Sequence, residues 1–182
     1  PKSLWAEIKE GVLADHKTLK MGNVTEDFST FMGAVIDAPA FDSIAAYIDY
    51  TKEADDAEIL AGGEYDKSEG YFIQPTVILT TNPRFKTMEE EIFGPVITIY
   101  VYEDGDFEKT LELCDETSPY ALTGAIFARD RRAVQLASTK LRHAAGNFYI
   151  NDKPTGSIVG QQPFGGGRAS GTNDKAGSVF NL

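Results

Sequence analysis

Val96 to Tyr102 (VITIYVY), Leu122 to Phe127 (LTGAIF) and Gly146 to Ile150 (GNFYI) are three short runs rich in β-branched and aromatic residues, and each reads as a strand. Two segments of helical period separate them. Phe107 to Glu116 puts Phe107, Leu111 and Cys114 on one face, and Arg131 to Leu141 puts Val134, Ala137 and Leu141 at three- and four-residue steps. Strand, helix, strand, helix, strand with short connections predicts right-handed crossovers and a mostly parallel sheet flanked by helices. The fold class is therefore α/β.

Upstream of this unit, Ser3 to Leu19 carries Leu4, Ile8, Val12 and Leu19 at helical spacings, with Trp5 and Leu13 widening the stripe. That pattern predicts an amphipathic helix with Ser3 as N-cap and Gly22 closing it. Pro39 to Lys52 predicts a second helix, with Phe41, Ile44, Ala45 and Ile48 facing a core. Glu58 to Ala61 and Pro75 to Leu79 are short apolar runs bounded by glycine and proline turns, and read as strands. Downstream of Ile150 the periodicity vanishes for about twenty residues, a length that marks a loop as functional or disordered. This glycine-rich segment leaves the carboxyl end of a parallel strand, the edge at which open α/β sheets bind ligands.

The composition excludes several functions. With 28 acidic and 17 basic residues in 182, a net charge of −11 argues against nucleic-acid binding through bulk positive charge. At 42% apolar and 25% charged residues the chain is an ordinary globular one with no membrane span. One cysteine excludes an internal disulfide framework, and two distant histidines leave little for a metal cluster. The charge is unevenly spread: residues 1–120 hold 25 acids and 9 bases, whereas residues 121–182 hold 3 acids, 8 bases and 9 of the 17 glycines. Solvated helix faces account for this asymmetry, as does a basic tail that meets an anion. The chain opens at Pro1 with neither a charged n-region nor an apolar h-region, and is expected to be a piece of a longer protein.

Cys114 is the only thiol. Its place on the Phe107–Leu111 stripe favours core packing, because Glu112, Asp115 and Glu116 offer no cationic setting for a thiolate. His16 and His143 sit late in expected helices, where the dipole accounts for them. The acidic run Glu89-Glu90-Glu91, followed by Ile92-Phe93-Gly94-Pro95, has two readings. It is either a solvated helical turn, or a carboxylate for two vicinal ribose hydroxyls beside an aromatic ring for a heterocycle. The glycine-rich loop matches neither common phosphate-binding spacing, but its amides and Ser157 could hold a carboxylate.

The motif Glu90-Glu91-Ile92-Phe93-Gly94-Pro95 before a strand, with Gly165-Gly166 and Ser170-Gly171 further on, resembles the C-terminal part of the aldehyde dehydrogenase superfamily. Within it, Gly146-Asn147-Phe148-Tyr149-Ile150-Asn151-Asp152-Lys153, Thr155-Gly156-Ser157, Gly160-Gln161-Gln162-Pro163-Phe164 and Ala169-Ser170-Gly171-Thr172-Asn173-Asp174-Lys175 resemble the branch acting on glutamate γ-semialdehyde in proline catabolism. The resemblance implies NAD as cofactor, with Glu91 accepting from the nicotinamide ribose and Phe93 packing beside it. It implies that Gly156 and Ser157 bind the substrate carboxylate and that Phe164 flanks its aliphatic part. It further implies a homo-oligomer, a mitochondrial matrix location or, in a bacterium, the cytoplasm, and neither nucleic-acid nor membrane partners. Residues 1–168 would be a partial catalytic domain and residues 169–182 the start of a segment leading to oligomer contacts, with the dinucleotide-binding domain largely absent. Cys114 does not match the family's nucleophile, which is expected upstream of Pro1, so the chain alone is expected to be inactive. Another NAD-dependent aldehyde dehydrogenase, or a noncatalytic assembly module, are the alternatives.

Overall fold

The computed structural model describes residues 1–158, 161–176 and 179, and it divides into two compact units, Pro1–Asp104 and Gly105–Leu182. Val159, Gly160 of the quoted loop motif, and Gly177, Ser178, Phe180, Asn181 and Leu182 of the closing stretch lie outside the described residues.

The first unit begins with helix α1 (Lys2–His16) and helix α2 (Ala38–Lys52). Strands β1 (Ala57–Ala61), β2 (Tyr65–Asp66), β3 (Phe72–Ile73) and β4 (Thr76–Thr80), the short helix α3 (Lys86–Glu89) and strand β5 (Val96–Tyr100) follow. β4 is central: it pairs parallel with β5, Thr76 opposite Val96 through Thr80 opposite Tyr100, and antiparallel with β1. β2 and β3 form a separate hairpin. α2 starts where Asp37 accepts a hydrogen bond from the Ala40 amide at 2.9 Å, satisfying one of the free N-terminal donors. As the spacing predicts, Phe41, Ile44, Ala45 and Ile48 are buried, and they pack with Ile73 and, at the margin, Val35, Ile59, Ile92 and Val96. Each large apolar side chain there contributes about 1.5–3 kcal/mol by leaving water. Truncating Ile48 to alanine would cost about 2–5 kcal/mol.

α1 departs from its expected ends. Pro1, not Ser3, occupies the N-cap position. The Ser3 amide and hydroxyl instead donate to the Asp104 carboxylate, an anion that outcompetes the local cap. The helix closes at Lys17, well before Gly22. Its apolar stripe is only half-covered, with Leu4 and Ile8 50% and 45% exposed.

The second unit holds helix α4 (Phe107–Glu116), strands β6 (Tyr120–Ala121) and β7 (Thr123–Ile126), helix α5 (Arg131–Lys140), and strands β8 (Asn147–Ile150) and β9 (Gly167–Arg168). β7 and β8 run parallel, and β6 pairs antiparallel with β9. α5 is capped by Asp130, which accepts from the Arg132 amide at 2.8 Å. Leu111, Ala137 and Leu141 are buried together, lined by Phe107, Ile126, Leu136, Ala144 and Phe148. The α/β alternation read from residues 96–150 is therefore present, and its strands are parallel to their partners. β5 finds its partner in β4, while β7 and β8 pair with each other.

Candidate cofactor and substrate sites

In the first unit the acidic run divides. Glu89 ends α3, and Arg84 reaches it at 3.4 Å. Glu90 turns to extended backbone and accepts a hydrogen bond from Tyr47 of α2 at 2.6 Å. That bond is the chief reason why the Tyr47 phenol is held above its usual pKa range. Ile92 then packs inward on the α2 core. Glu91 and Phe93, on either side of it, stand exposed, and no hydrogen bond or ion pair engages Glu91 among the described residues. Phe93 is 89% exposed with φ of +56°. A bulky residue in the left-handed region costs about 1–2 kcal/mol, and an exposed ring gains nothing in return from burial. Strain of that kind is characteristic of ligand-contacting positions.

An apolar cavity of about 350 Å³ opens nearby. Val12, His16, Phe31, Pro75, Pro95 and Val96 are among its walls, whereas Glu91 and Phe93 are not. His16 closes one side through a 2.6 Å contact between Nε2 and the Pro75 carbonyl, a specific tether where the sequence implied only a favourable helix end.

In the second unit the glycine-rich segment does not lie over the carboxyl edge of β8. It folds back along the strand to its amino end. Asn147, the first residue of β8, donates from Nδ2 to the Pro163 carbonyl at 2.6 Å and to Ser157 Oγ at 3.3 Å, and accepts from the Gly165 amide at 3.0 Å. The Tyr149 hydroxyl stands 3.1 Å from the same Ser157 oxygen. Lys153 bonds Gln162 at 2.8 Å and sits 5.4 Å over the Tyr149 ring. Lys175 donates to the Gly146 carbonyl at 2.6 Å and to that of Gly165 at 3.3 Å. An irregular loop has no ladder to satisfy its carbonyls, and these side chains take over that role. Asn147, Tyr149 and Lys175 were not singled out from sequence. The available signal was an asparagine opening an otherwise apolar strand, where asparagine is disfavoured.

Gly156 is exposed with φ of +98°, Ser157 is half-buried within the asparagine–tyrosine cluster, and Phe164 is half-buried with its carbonyl accepting from the Ala176 amide at 2.5 Å. The expected residues thus fall into two sets: Glu91 and Phe93 on one turn of the first unit, and Gly156, Ser157 and Phe164 on one loop of the second. Cys114 departs from its expected core position. It is exposed on α4, one turn beyond the buried Leu111. Partial desolvation pushes its thiol up, the reverse of what a nucleophile needs. No group of three or more potential metal ligands occurs among the described residues, and no described helix is long and apolar enough to cross a membrane.

A family model described as the aldehyde dehydrogenase family matches residues 1–181. The chain belongs to the aldehyde dehydrogenase family. Among its relatives, the mitochondrial delta-1-pyrroline-5-carboxylate dehydrogenase of Dictyostelium discoideum is 60% identical over 182 residues, covering 100% of this chain and 32% of that protein. The corresponding Homo sapiens protein is 53% identical over 177 residues, 97% of this chain and 31% of its own length. A crystal structure of the delta-pyrroline-5-carboxylate dehydrogenase from Mycobacterium tuberculosis bound with NAD superimposes with a TM-score of 0.87 at 49% identity, covering 98% of this chain and 32% of that one. A betaine aldehyde dehydrogenase from Staphylococcus aureus in complex with NAD+ gives 0.77 at 30% identity. This aldehyde dehydrogenase chain thus spans about a third of the length of the relatives it matches.

Proposed function

We propose that this chain is the part of an NAD-dependent pyrroline-5-carboxylate dehydrogenase that contacts the nicotinamide ribose and the substrate carboxylate. The full-length protein then oxidises L-glutamate γ-semialdehyde, the open form of pyrroline-5-carboxylate, to glutamate in proline degradation. The observation that carries this reading is the folded-back loop, which presents the Gly156 amide and the Ser157 hydroxyl on a scaffold of side chains from β8. Similarity to pyrroline-5-carboxylate dehydrogenases along the whole chain supports the choice of substrate.

The residues fit the cofactor. Glu91 offers a carboxylate with no partner among the described residues, suited to two vicinal ribose hydroxyls, and the exposed Phe93 ring offers a flat surface beside it. Bound NAD supplies the hydride acceptor. For the substrate, Ser157 donates to the carboxylate together with backbone amides at Gly156 and Ser157, and Phe164 flanks the aliphatic carbons. These contacts orient the aldehyde and discriminate against substrates without a carboxylate, because a site built to hydrogen-bond one group rejects analogues lacking it. Cys114 takes no part: its thiol is shifted away from the thiolate, and the nucleophile belongs to the rest of the full-length protein.

The full-length protein is expected to work in mitochondria, as the names of its relatives suggest, and as a homo-oligomer. The decisive assay follows NADH formation by the full-length protein with glutamate semialdehyde and with a simple aliphatic aldehyde. Ser157→Ala should raise KM for the first far more than for the second. Equal effects on both would remove the carboxylate role.

A further inference from the structure

Asn147 and Tyr149 lie two residues apart on β8, so their side chains leave the same face of the strand. Both reach one atom, Ser157 Oγ, at 3.3 and 3.1 Å. The amide of Asn147 has a single satisfactory orientation: its oxygen takes the Gly165 N–H and its nitrogen serves the Pro163 carbonyl. The Asn147 nitrogen therefore donates to Ser157. Between the two hydroxyls, the phenol of Tyr149 is the stronger donor. With Tyr149 donating as well, both acceptor sites of Ser157 Oγ are filled and its hydrogen must point elsewhere. Among the described residues that hydrogen has one weak option, the Pro163 carbonyl at 3.4 Å. This carbonyl is at the limit of hydrogen-bonding range and already engaged by Asn147 at 2.6 Å.

We propose that Asn147 and Tyr149 are positioning residues that convert the Ser157 hydroxyl into a dedicated hydrogen-bond donor for an incoming carboxylate. Two donors on the oxygen direct its proton outward and polarise the O–H bond, as hydrogen bonds in a chain strengthen one another. The hydroxyl loses rotational freedom before the ligand arrives, so less is lost on binding. Asn147 also fixes both ends of the loop, residues 157 and 163–165, through one side chain. A single residue thus sets the position of Ser157 and its polarity. This inference rests on the carboxylate-binding reading of Ser157.

The test uses the full-length protein with glutamate semialdehyde and a carboxylate-free aliphatic aldehyde. Tyr149→Phe removes one oxygen and keeps the ring. It should raise KM for the semialdehyde about 5- to 10-fold, a hydrogen bond's worth, with a much smaller change in kcat. KM for the aliphatic aldehyde should move by less than about twofold. In a Ser157→Ala background the same substitution should add nothing, since its effect passes through that hydroxyl. Asn147→Asp keeps an acceptor for Gly165 but turns the donor into an acceptor, and should raise the semialdehyde KM further than Tyr149→Phe does. If Ser157→Ala selectively impairs the semialdehyde while Tyr149→Phe leaves its KM unchanged, or raises both KM values equally, the positioning role is overturned and the carboxylate reading stands. If Ser157→Ala itself shows no selectivity, the carboxylate reading falls first.

Discussion

Tyr47 of α2 donates its phenolic hydrogen to Glu90 at 2.6 Å, and by doing so separates two adjacent glutamates into different kinds of residue. Glu90 is engaged in holding the turn onto α2, whereas Glu91, the next residue, is exposed and unengaged among the described residues. NAD binding by the full-length protein, measured by calorimetry, should therefore respond to the two positions differently. Glu91→Gln should weaken the affinity about 10- to 100-fold, the value of hydrogen bonds to a charged acceptor. Glu90→Gln should leave it within about twofold and instead lower the melting temperature.

The same bond predicts an alkaline signature. Hydrogen bonding to Glu90, then partial burial, then the like charge of Glu90 hold the Tyr47 phenol above its ordinary range. A group whose folded pKa is raised stabilises the protein fully below its unfolded pKa, about 10 for tyrosine, and loses that contribution as pH rises through the folded value. Denaturant midpoints of wild type and Tyr47→Phe should thus differ at pH 7–9 and converge as the pH rises through the raised pKa of the folded phenol. A difference that stays constant across that range would show that the phenolic hydrogen is not what stabilises the turn.

Cys114 should be dispensable. Its desolvated thiol carries less thiolate at neutral pH than a free cysteine. Alkylation at pH 7 should accordingly be slower than that of a free thiol, despite the exposure of the residue. Cys114→Ser in the full-length protein should retain NADH production within about twofold. Loss of turnover in that variant would identify Cys114 as a participant in the chemistry.

What sequence could reach was governed by how local the determining interactions are. α2 and α5 follow from their own spacing and from Asp37 and Asp130, caps that act on amides two or three residues away. The strand–helix alternation of residues 96–150 is local in the same sense. Ser3 failed as a cap because its true partner, Asp104, lies 101 residues away. Cys114 lies outside the core although it shares the stripe of the buried Leu111, because spacing marks a face of a helix and not how deeply each residue on that face is covered. Glu91, Phe93, Gly156, Ser157 and Phe164 were singled out by motif resemblance, with residue chemistry pointing beforehand only to the acidic run with its aromatic neighbour and to Ser157 with the loop amides. Asn147 and Tyr149, which hold Ser157 in place, belong to the same motif but work through tertiary contacts. The direction of the loop, back toward the amino end of β8, is set by those contacts and has no periodic signature.

Two glycines of this loop region make a contrasting pair. A Cβ added at Gly146 would lie 1.9 Å from the Gly165 carbonyl oxygen and 2.7 Å from Gly166 Cα, backbone atoms that cannot yield. Lys175 also bridges the Gly146 and Gly165 carbonyls, so any displacement would break that link as well. Gly146→Ala should therefore detach the loop, with a stability loss of about 3 kcal/mol or more and greatly increased proteolytic cleavage within residues 154–165. A Cβ at Gly156 meets nothing within 4 Å, but φ there is +98°. Gly156→Ala should cost only the backbone strain, about 1–2 kcal/mol, with the loop still protected. If these amides hold the substrate carboxylate as proposed, its main effect should be on the semialdehyde KM, since relaxing φ swings the amides at 156 and 157 out of position. Equal protease sensitivity in the two variants would mean that the approach of Gly165 to Gly146 is not what seats the loop.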